Sequence, residues 1–104
     1  MNNLELEITS KAYNDIEIIS EFIARDNKSA ANKMMKLFYK TFETFLKHPN
    51  IGTSRPDFTY MDVKFYVVKK NYLIVYRVID NKKLRILRVL TTYITSLDKL
   101  KICN

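Results

Sequence analysis

Several residue types that common functional sites require are scarce in this chain. Its 104 residues include one cysteine (Cys103), one histidine (His48), one glycine (Gly52) and no tryptophan. A lone cysteine cannot form an internal disulfide, which suits a reducing compartment, and it argues against a cysteine-based metal site. A single glycine also excludes the glycine-rich loops that bind phosphates. We therefore expect a cytoplasmic protein without a metal or another cofactor.

Long apolar runs and targeting signals are absent as well. No apolar run approaches the roughly 18 residues of a membrane-spanning helix. The N-terminal residues carry acids and no basic run, so we expect no signal peptide. The length predicts a single domain over residues 1–104, with a core large enough to fold alone.

The basic residues are concentrated in the second half of the chain. Residues 1–54 contain seven Lys or Arg and seven Asp or Glu, whereas residues 55–104 contain eleven basic and four acidic residues. The second half therefore carries the entire net charge of +7. A one-sided basic field favours an acidic partner, such as nucleic acid or an acidic peptide. Solubility and protection of exposed strand edges explain the same charges equally well.

The first half has the pattern of one strand followed by two helices. Leu4–Ile8 alternates apolar and acidic residues, as a strand with one buried face does. Thr9 or Ser10 can cap a helix from Lys11 to about Ala24, and Asn27 or Ser29 can cap a second helix from about Ser29 to Lys47. The short break between the helices predicts an antiparallel helix hairpin.

The second half contains three apolar runs that are rich in β-branched and aromatic residues. They are Val63–Val68, Tyr72–Ile79 and Leu84–Leu90, and the breaks between them are too short for crossovers. We expect an antiparallel three-stranded meander that the N-terminal strand joins in one sheet, followed by a short helix from Leu97 to about Ile102. The predicted fold is thus α+β, with the helix hairpin packed on one face of the sheet.

Two-residue turns at Lys70-Asn71 and Asn81-Lys82 give this meander a definite register, and the register assigns each side chain to a face. The face expected against the helices carries Phe65, Val67, Ile74, Tyr76, Val78, Arg85, Leu87 and Val89. The other face carries Lys64, Tyr66, Val68, Leu73, Val75, Arg77, Ile86, Arg88 and Leu90. Lys64 opposite Arg77 places like charges side by side, which costs stability. This second face therefore predicts an anionic partner; the alternative is that each cation turns to solvent or to a nearby acid.

Three segments of the chain resemble the RelE/ParE superfamily, the small toxins of bacterial type II toxin–antitoxin systems. They are ITSKAYNDIEIISEFIARDNKSAA, FLKHPNIGTSR and NYLIVYRVIDNKKLRILRVL. The resemblance covers nearly the whole chain and implies the fold predicted above. It also implies a cognate antitoxin whose C-terminal segment wraps the toxin, in a hetero-oligomer without a membrane component.

The superfamily contains two activities, and position 73 bears on the choice between them. RelE-like members cut messenger RNA on the ribosome, and a key arginine follows the aromatic residue that opens the strand here predicted as Tyr72–Ile79. This chain has Leu73 there. ParE-like members inhibit DNA gyrase by binding, without a known bond-breaking site. The Arg-Val-Leu ending, the Asp-Asn helix break and the Pro-x-x-Gly loop are closer to this branch, so we expect a gyrase inhibitor and not an enzyme.

Two alternatives stay open at this point. A RelE-like endoribonuclease would use Lys64, Arg77, Arg88 and Tyr93, because His48 is expected only to interact with the end of the second helix. A degenerate member would bind its antitoxin without poisoning cells, since Thr91 and Thr92 replace the histidine that usually follows Arg-Val-Leu. The residues expected to bind the target or the antitoxin are Lys64, Tyr66, Leu73, Val75, Arg77, Ile86, Arg88, Leu90 and Tyr93.

Overall fold

A computed structural model describes residues 4–54 and 62–91, and these residues form an α+β fold. The elements are β1 (Glu5–Ile8), α1 (Ser10–Ala24), α2 (Lys28–Lys47), β2 (Thr53–Ser54), β3 (Lys64–Val68), β4 (Tyr72–Ile79) and β5 (Lys83–Thr91). The five strands form one sheet in the order β1-β5-β4-β3-β2. The predicted fold class is confirmed. The predicted final helix, from Leu97 to Ile102, lies outside the described residues.

Both helices begin at caps that the sequence predicts. The Thr9 hydroxyl accepts a hydrogen bond of 3.1 Å from the backbone N–H of Ala12, and the Asn27 side chain accepts one of 3.0 Å from Ala30. Each bond satisfies a donor that the first helical turn leaves free. None of the helices in the described ranges is long and apolar enough to cross a membrane.

The N-terminal strand joins the sheet as expected. β1 pairs in parallel with β5, from Glu5 opposite Lys83 to Ile8 opposite Ile86. At the other edge the two-residue strand β2, which the sequence did not predict, pairs with the start of β3. The chain therefore enters at one edge of the sheet, crosses over it through both helices and returns at the opposite edge.

The main core lies between the helices and one face of the sheet, here called the helix face. Phe38, Phe42 and Phe45 of α2 are fully buried, and the Phe45 ring stacks on Tyr76 of β4 at a centroid distance of 4.2 Å. Phe38 meets Tyr72 edge to face at 5.4 Å. Burying one such side chain stabilises the fold by roughly 1.5–3 kcal/mol, so this aromatic layer fixes α2 on the sheet.

The predicted register of the first hairpin is wrong by one residue. Val68 pairs with Tyr72 and Phe65 with Val75, because Lys69 and Lys70 form the turn with positive φ angles of 51° and 65°. A shift of one residue exchanges the two faces of a strand. The exchange places Lys64, Tyr66 and Val68 on the helix side and Phe65 and Val67 on the opposite side.

The predicted register of the second hairpin is wrong by one residue near the turn and correct beyond a bulge. Asp80 and Asn81 have φ angles of 54° and 55°, and Ile79 pairs with Lys83. A bulge between Val75 and Tyr76 then restores the predicted pair of Val75 with Arg88. The predicted pairs Arg77 with Ile86 and Ile79 with Leu84 lie between the bulge and the turn, and both are wrong: Arg77 pairs with Arg85 and Ile79 with Lys83.

Candidate functional site

The face of the sheet opposite the helices, here called the outer face, has an apolar zone and a charged row. The apolar zone consists of Val63, Phe65, Leu73, Val75 and Leu87, each at most 9% exposed, with Leu90 packed against them. Three of the predicted binding residues, Leu73, Val75 and Leu90, lie together in this zone. Val67, also on this face, is 54% exposed.

Position 73 is fully part of this apolar zone. Leu73 is 9% exposed and pairs with Val67 on one side and Leu90 on the other. A leucine there neither donates a hydrogen bond nor holds charge. The position at which the nuclease branch has an arginine is therefore a packing position in this chain.

The charged row crosses the outer face through β1, β5 and β4. Glu7 is in register with Arg85, and Arg85 is in register with Arg77. An Arg85 Nη2 hydrogen donates to Glu7 Oε1 at 3.2 Å. The Nε atoms of Arg77 and Arg85 are shielded from solvent and have no hydrogen-bond partner. Two like charges thus lie side by side, and Glu7 forms an ion pair with only one of them, Arg85.

Arg88, a predicted binding residue, is engaged inside the molecule. Its Nε and Nη2 groups donate to the two carboxylate oxygens of Asp15 in α1 at 2.7 and 2.9 Å. The backbone N–H of Val89 donates to the same carboxylate at 2.9 Å. The Asp15 hydrogen bond raises the pKa of Arg88, against the opposing effect of desolvation. This pair joins α1 to β5 just past the end of β1.

Sequence reasoning did not find Asp15, although a signal was present. Asp15 lies on the face of α1 that also carries the buried Ala12, Ile16 and Ile19. An acid on the apolar face of a helix requires a partner, since burying an unpaired charge is costly. The strand arginines Arg77, Arg85 and Arg88 were the available partners for this acid.

The other predicted members of the binding face lie on the helix side. Ile86 is fully buried in the main core, and the Tyr66 ring meets Phe45 edge to face at 5.3 Å. The Lys64 ammonium approaches Ser54 Oγ at 3.5 Å. The expectation that Lys64, Tyr66 and Ile86 share a face with Arg77 is therefore wrong. The cause is the register of the first hairpin for Lys64 and Tyr66, and the β5 bulge for Ile86.

Lys64 and Arg77 nonetheless contribute to one depression of about 330 Å³ near the β4–β5 turn. Asp62 and Asp80 also line it, so two carboxyl groups accompany the two cations. Balanced charges of this kind do not concentrate the positive field that an RNA-cleaving site requires.

Tyr76 is a second residue that the sequence analysis did not single out. Its hydroxyl donates to the Pro49 carbonyl at 2.8 Å and accepts from the Gly52 N–H at 2.9 Å. Burial is the main cause that raises its pKa, against the lowering effect of the Gly52 hydrogen bond. A Cβ on Gly52 would lie 2.8 Å from this hydroxyl, so the only glycine permits the close approach that holds the α2–β2 loop.

The described residues supply little general acid–base chemistry. His48 ends α2, where its backbone N–H donates to the Thr44 carbonyl at 2.8 Å, and its side chain is exposed. No group of three His, Cys, Asp or Glu side chains within the described ranges could hold a metal ion. Tyr93, the remaining predicted site residue, lies outside these ranges.

Comparison with known proteins adds two findings to this geometry. The sequence model of the family described as "ParE toxin of type II toxin-antitoxin system, parDE" matches residues 6–92. A solved structure, described as the chromosomal ParDE TA system from P. aeruginosa, contains a chain with a TM-score of 0.69 and 19% identity. The match covers 88% of this chain and 98% of that one, and it shows a shared fold. No curated protein gives a significant match.

Proposed function

We propose that this chain, which belongs to the ParE toxin family of type II toxin–antitoxin systems, poisons cells by binding DNA gyrase and is neutralised by a cognate antitoxin in the cytoplasm. The family match supports the toxin role. The arrangement of the strand cations supports binding over RNA cleavage. Both the target and the neutralising partner belong to the proposal.

The dispersal of three cations is the observation that carries the proposal. A nuclease of this superfamily needs cationic groups that converge on one ribose and one phosphate. Lys64 lies on the helix side beside Ser54, Arg77 lies on the outer face, and Arg88 is bound by Asp15. Only Lys64 and Arg77 of these three line one depression, and Asp62 and Asp80 line it with them, so the three cations predicted for a nuclease do not converge on one point.

The antitoxin follows from the same family membership. The similar solved chain comes from a structure whose description names a ParDE toxin–antitoxin system. We propose that this chain likewise forms a toxin–antitoxin hetero-oligomer, and that the antitoxin contacts the outer face. Exposed Val67 and the charged row provide apolar and ionic contacts for such a partner.

Controlled expression in a bacterial host tests toxicity and neutralisation together. Induction of this chain alone should stop growth, and co-expression of the protein encoded by the neighbouring reading frame should restore it. Normal growth on induction, with a stable complex still formed, would contradict the toxin role. That result would favour a member that has kept antitoxin binding and lost toxicity, the alternative that Thr91 and Thr92 motivate.

A translation assay separates binding from RNA cleavage. Messenger RNA recovered from ribosomes incubated with the purified chain should show no new ends by primer extension. Cuts at codon-linked positions would contradict the proposal. The nuclease alternative gains its strongest support if such cuts disappear in a variant that combines Lys64→Ala, Arg77→Ala and Arg88→Ala.

A further inference from the structure

The charged row on the outer face has the features of a carboxylate-binding site. We propose that Arg77 and Arg85 together bind one acidic side chain of the antitoxin. This inference rests on the antitoxin partner proposed above. It deepens that proposal, because it names the chemical group that is recognised and the two side chains that recognise it.

The first support is the direct opposition of two arginines. Arg77 and Arg85 form a cross-strand pair in β4 and β5. Like charges directly opposite each other in a sheet reduce stability. Glu7 serves Arg85 at 3.2 Å, whereas Arg77 has no ion pair among residues 4–54 and 62–91. A bound anion would remove this repulsion.

The second support is that one N–H group of each guanidinium, the Nε–H, has no hydrogen-bond acceptor. The Nε–H groups of Arg77 and Arg85 are hidden from solvent and have no acceptor. A polar group that is shielded from water without a partner costs free energy. A carboxylate that draws either guanidinium group outward can accept from its Nε and one Nη, the two-bond geometry that arginine favours.

The charge balance of the outer face indicates a single carboxylate and not a nucleic acid. Among the described outer-face residues of β1, β5 and β4, the cations are Lys83, Arg85, Arg77 and Arg88, and the anions are Glu5 and Glu7. Asp15 of α1 neutralises Arg88, so the remaining three cations against two anions leave one positive charge in excess. Glu5 and Glu7 would repel a run of phosphates, whereas one acidic side chain neutralises the excess.

A binding role and a structural role predict opposite effects on stability. If Arg77 served the fold, its replacement would destabilise the protein. If Arg77 instead binds a partner and does not stabilise the fold, Arg77→Gln only removes the repulsion between Arg77 and Arg85. The variant should then unfold at the same or a higher urea concentration than the wild type. A variant that unfolds at clearly lower urea would assign Arg77 to the fold and overturn the inference.

Side-chain NMR on the intact chain tests the ligand class without any partner. Arginine Nε–Hε signals are followed during titration with the blocked peptide acetyl-Ala-Glu-Ala-amide, with its Gln analogue as control. The signals of Arg77 and Arg85 should move with the Glu peptide and not with the Gln peptide. Signals that stay fixed with both peptides would overturn the inference. Larger shifts with the dinucleotide TpT than with the Glu peptide would assign the pair to nucleic acid instead.

Affinity for the protein encoded by the neighbouring reading frame tests the biological partner. The Arg77→Gln variant should bind this protein roughly tenfold or more weakly than the wild type, because it loses a charged hydrogen-bonded contact. The control Lys82→Gln removes an equal charge from the exposed β4–β5 turn and should change affinity by less than about twofold, as expected of an exposed rim charge. Wild-type affinity in Arg77→Gln would overturn this inference and leave the proposed function intact. Failure of the wild-type chain to bind would contradict the antitoxin partner itself, while the peptide titration would still decide the ligand class.

Discussion

At the scale of single residues, Asp15 is a buried carboxylate that links helix α1 to strand β5. It is 9% exposed and accepts three hydrogen bonds, two from Arg88 and one from the Val89 backbone. Such a carboxylate secures the start of α1 to the part of β5 that extends beyond β1. Arg88, which the sequence placed on a binding surface, is thereby a structural residue.

Asp15→Asn should reduce the free energy of unfolding by about 1–3 kcal/mol, because the neutral amide cannot replace the charged pair with Arg88. Urea denaturation followed by circular dichroism measures the change. Asp26→Asn, at the exposed break between the helices, is the matched control and should leave stability nearly unchanged. A double-mutant cycle with Arg88→Gln should return a favourable coupling energy; a coupling near zero would contradict the structural role.

Tyr76 is the second residue with a measurable role. Tyr76→Phe removes the hydroxyl that serves Pro49 and Gly52, so the free energy of unfolding should fall by about 1–3 kcal/mol at neutral pH. Tyr13→Phe, at a residue that is 54% exposed, is the control and should have little effect. Equal stability of the two variants at neutral pH would contradict the anchoring role.

The pH dependence of stability gives an independent test of Tyr76. Its pKa is raised in the folded protein, chiefly by burial, whereas the pKa of a tyrosine in the unfolded chain is about 10. The folded state therefore holds the proton more tightly, and its stability is full below about pH 10 and falls as the pH rises above that value. Tyr76→Phe should show a smaller fall between about pH 9 and 11. An unchanged slope in that window would argue against a buried hydroxyl.

At the scale of elements, the helices and strands could be predicted from the sequence, but the register of the strands could not. Periodic apolar residues located the two helices and three main strands, and Thr9 and Asn27 were recognised as caps. The first hairpin turn is formed by Lys69 and Lys70, both with positive φ, a conformation that lysine rarely adopts. Asn71 was the more reasonable candidate from the sequence. One residue of error then moved Lys64 and Tyr66 to the wrong face.

The bulge in the second hairpin limited prediction of the site in a different way. The register predicted from the sequence correctly paired Val75 with Arg88. It missed the pair of Arg77 with Arg85, because the bulge shifts the register by one residue between these two pairs. No turn residue marks this bulge in the sequence. Leu73, Val75 and Leu90 could be assigned to one surface, whereas the charged row on that surface required the structure.

Lys69→Gly tests the first turn directly. A left-handed conformation costs an L-residue roughly 1–2 kcal/mol, against about 0.5–1 kcal/mol for the greater entropy that glycine loses on folding. The substitution should therefore raise the free energy of unfolding by up to about 1.5 kcal/mol. The control is Asn71→Gly, two residues later, where φ is not positive and no gain is expected. A gain at Asn71 and a loss at Lys69 would favour the turn that the sequence predicted.

At the scale of the whole molecule, the two faces of the sheet have different roles. The helix face is closed by the aromatic core of α2, and the Asp15–Arg88 pair fastens α1 to β5 just past the end of β1, so this side supports the fold. The apolar zone of the outer face is buried, so the contacts that this face can offer come from exposed Val67 and from the partly exposed Arg77 and Arg85, whose Nε–H groups lack acceptors. This division assigns the proposed partner contact to the outer face and leaves the helix face to the fold.

A gyrase assay with the purified chain tests this account most directly. Relaxed plasmid, ATP and DNA gyrase are incubated with increasing amounts of the chain, and supercoiled and linear DNA are measured after denaturation. The account predicts loss of supercoiling and accumulation of linear DNA from trapped cleavage complexes, both prevented by the antitoxin. Undiminished supercoiling at a molar excess of the chain, together with cleavage of ribosome-bound messenger RNA, would contradict it.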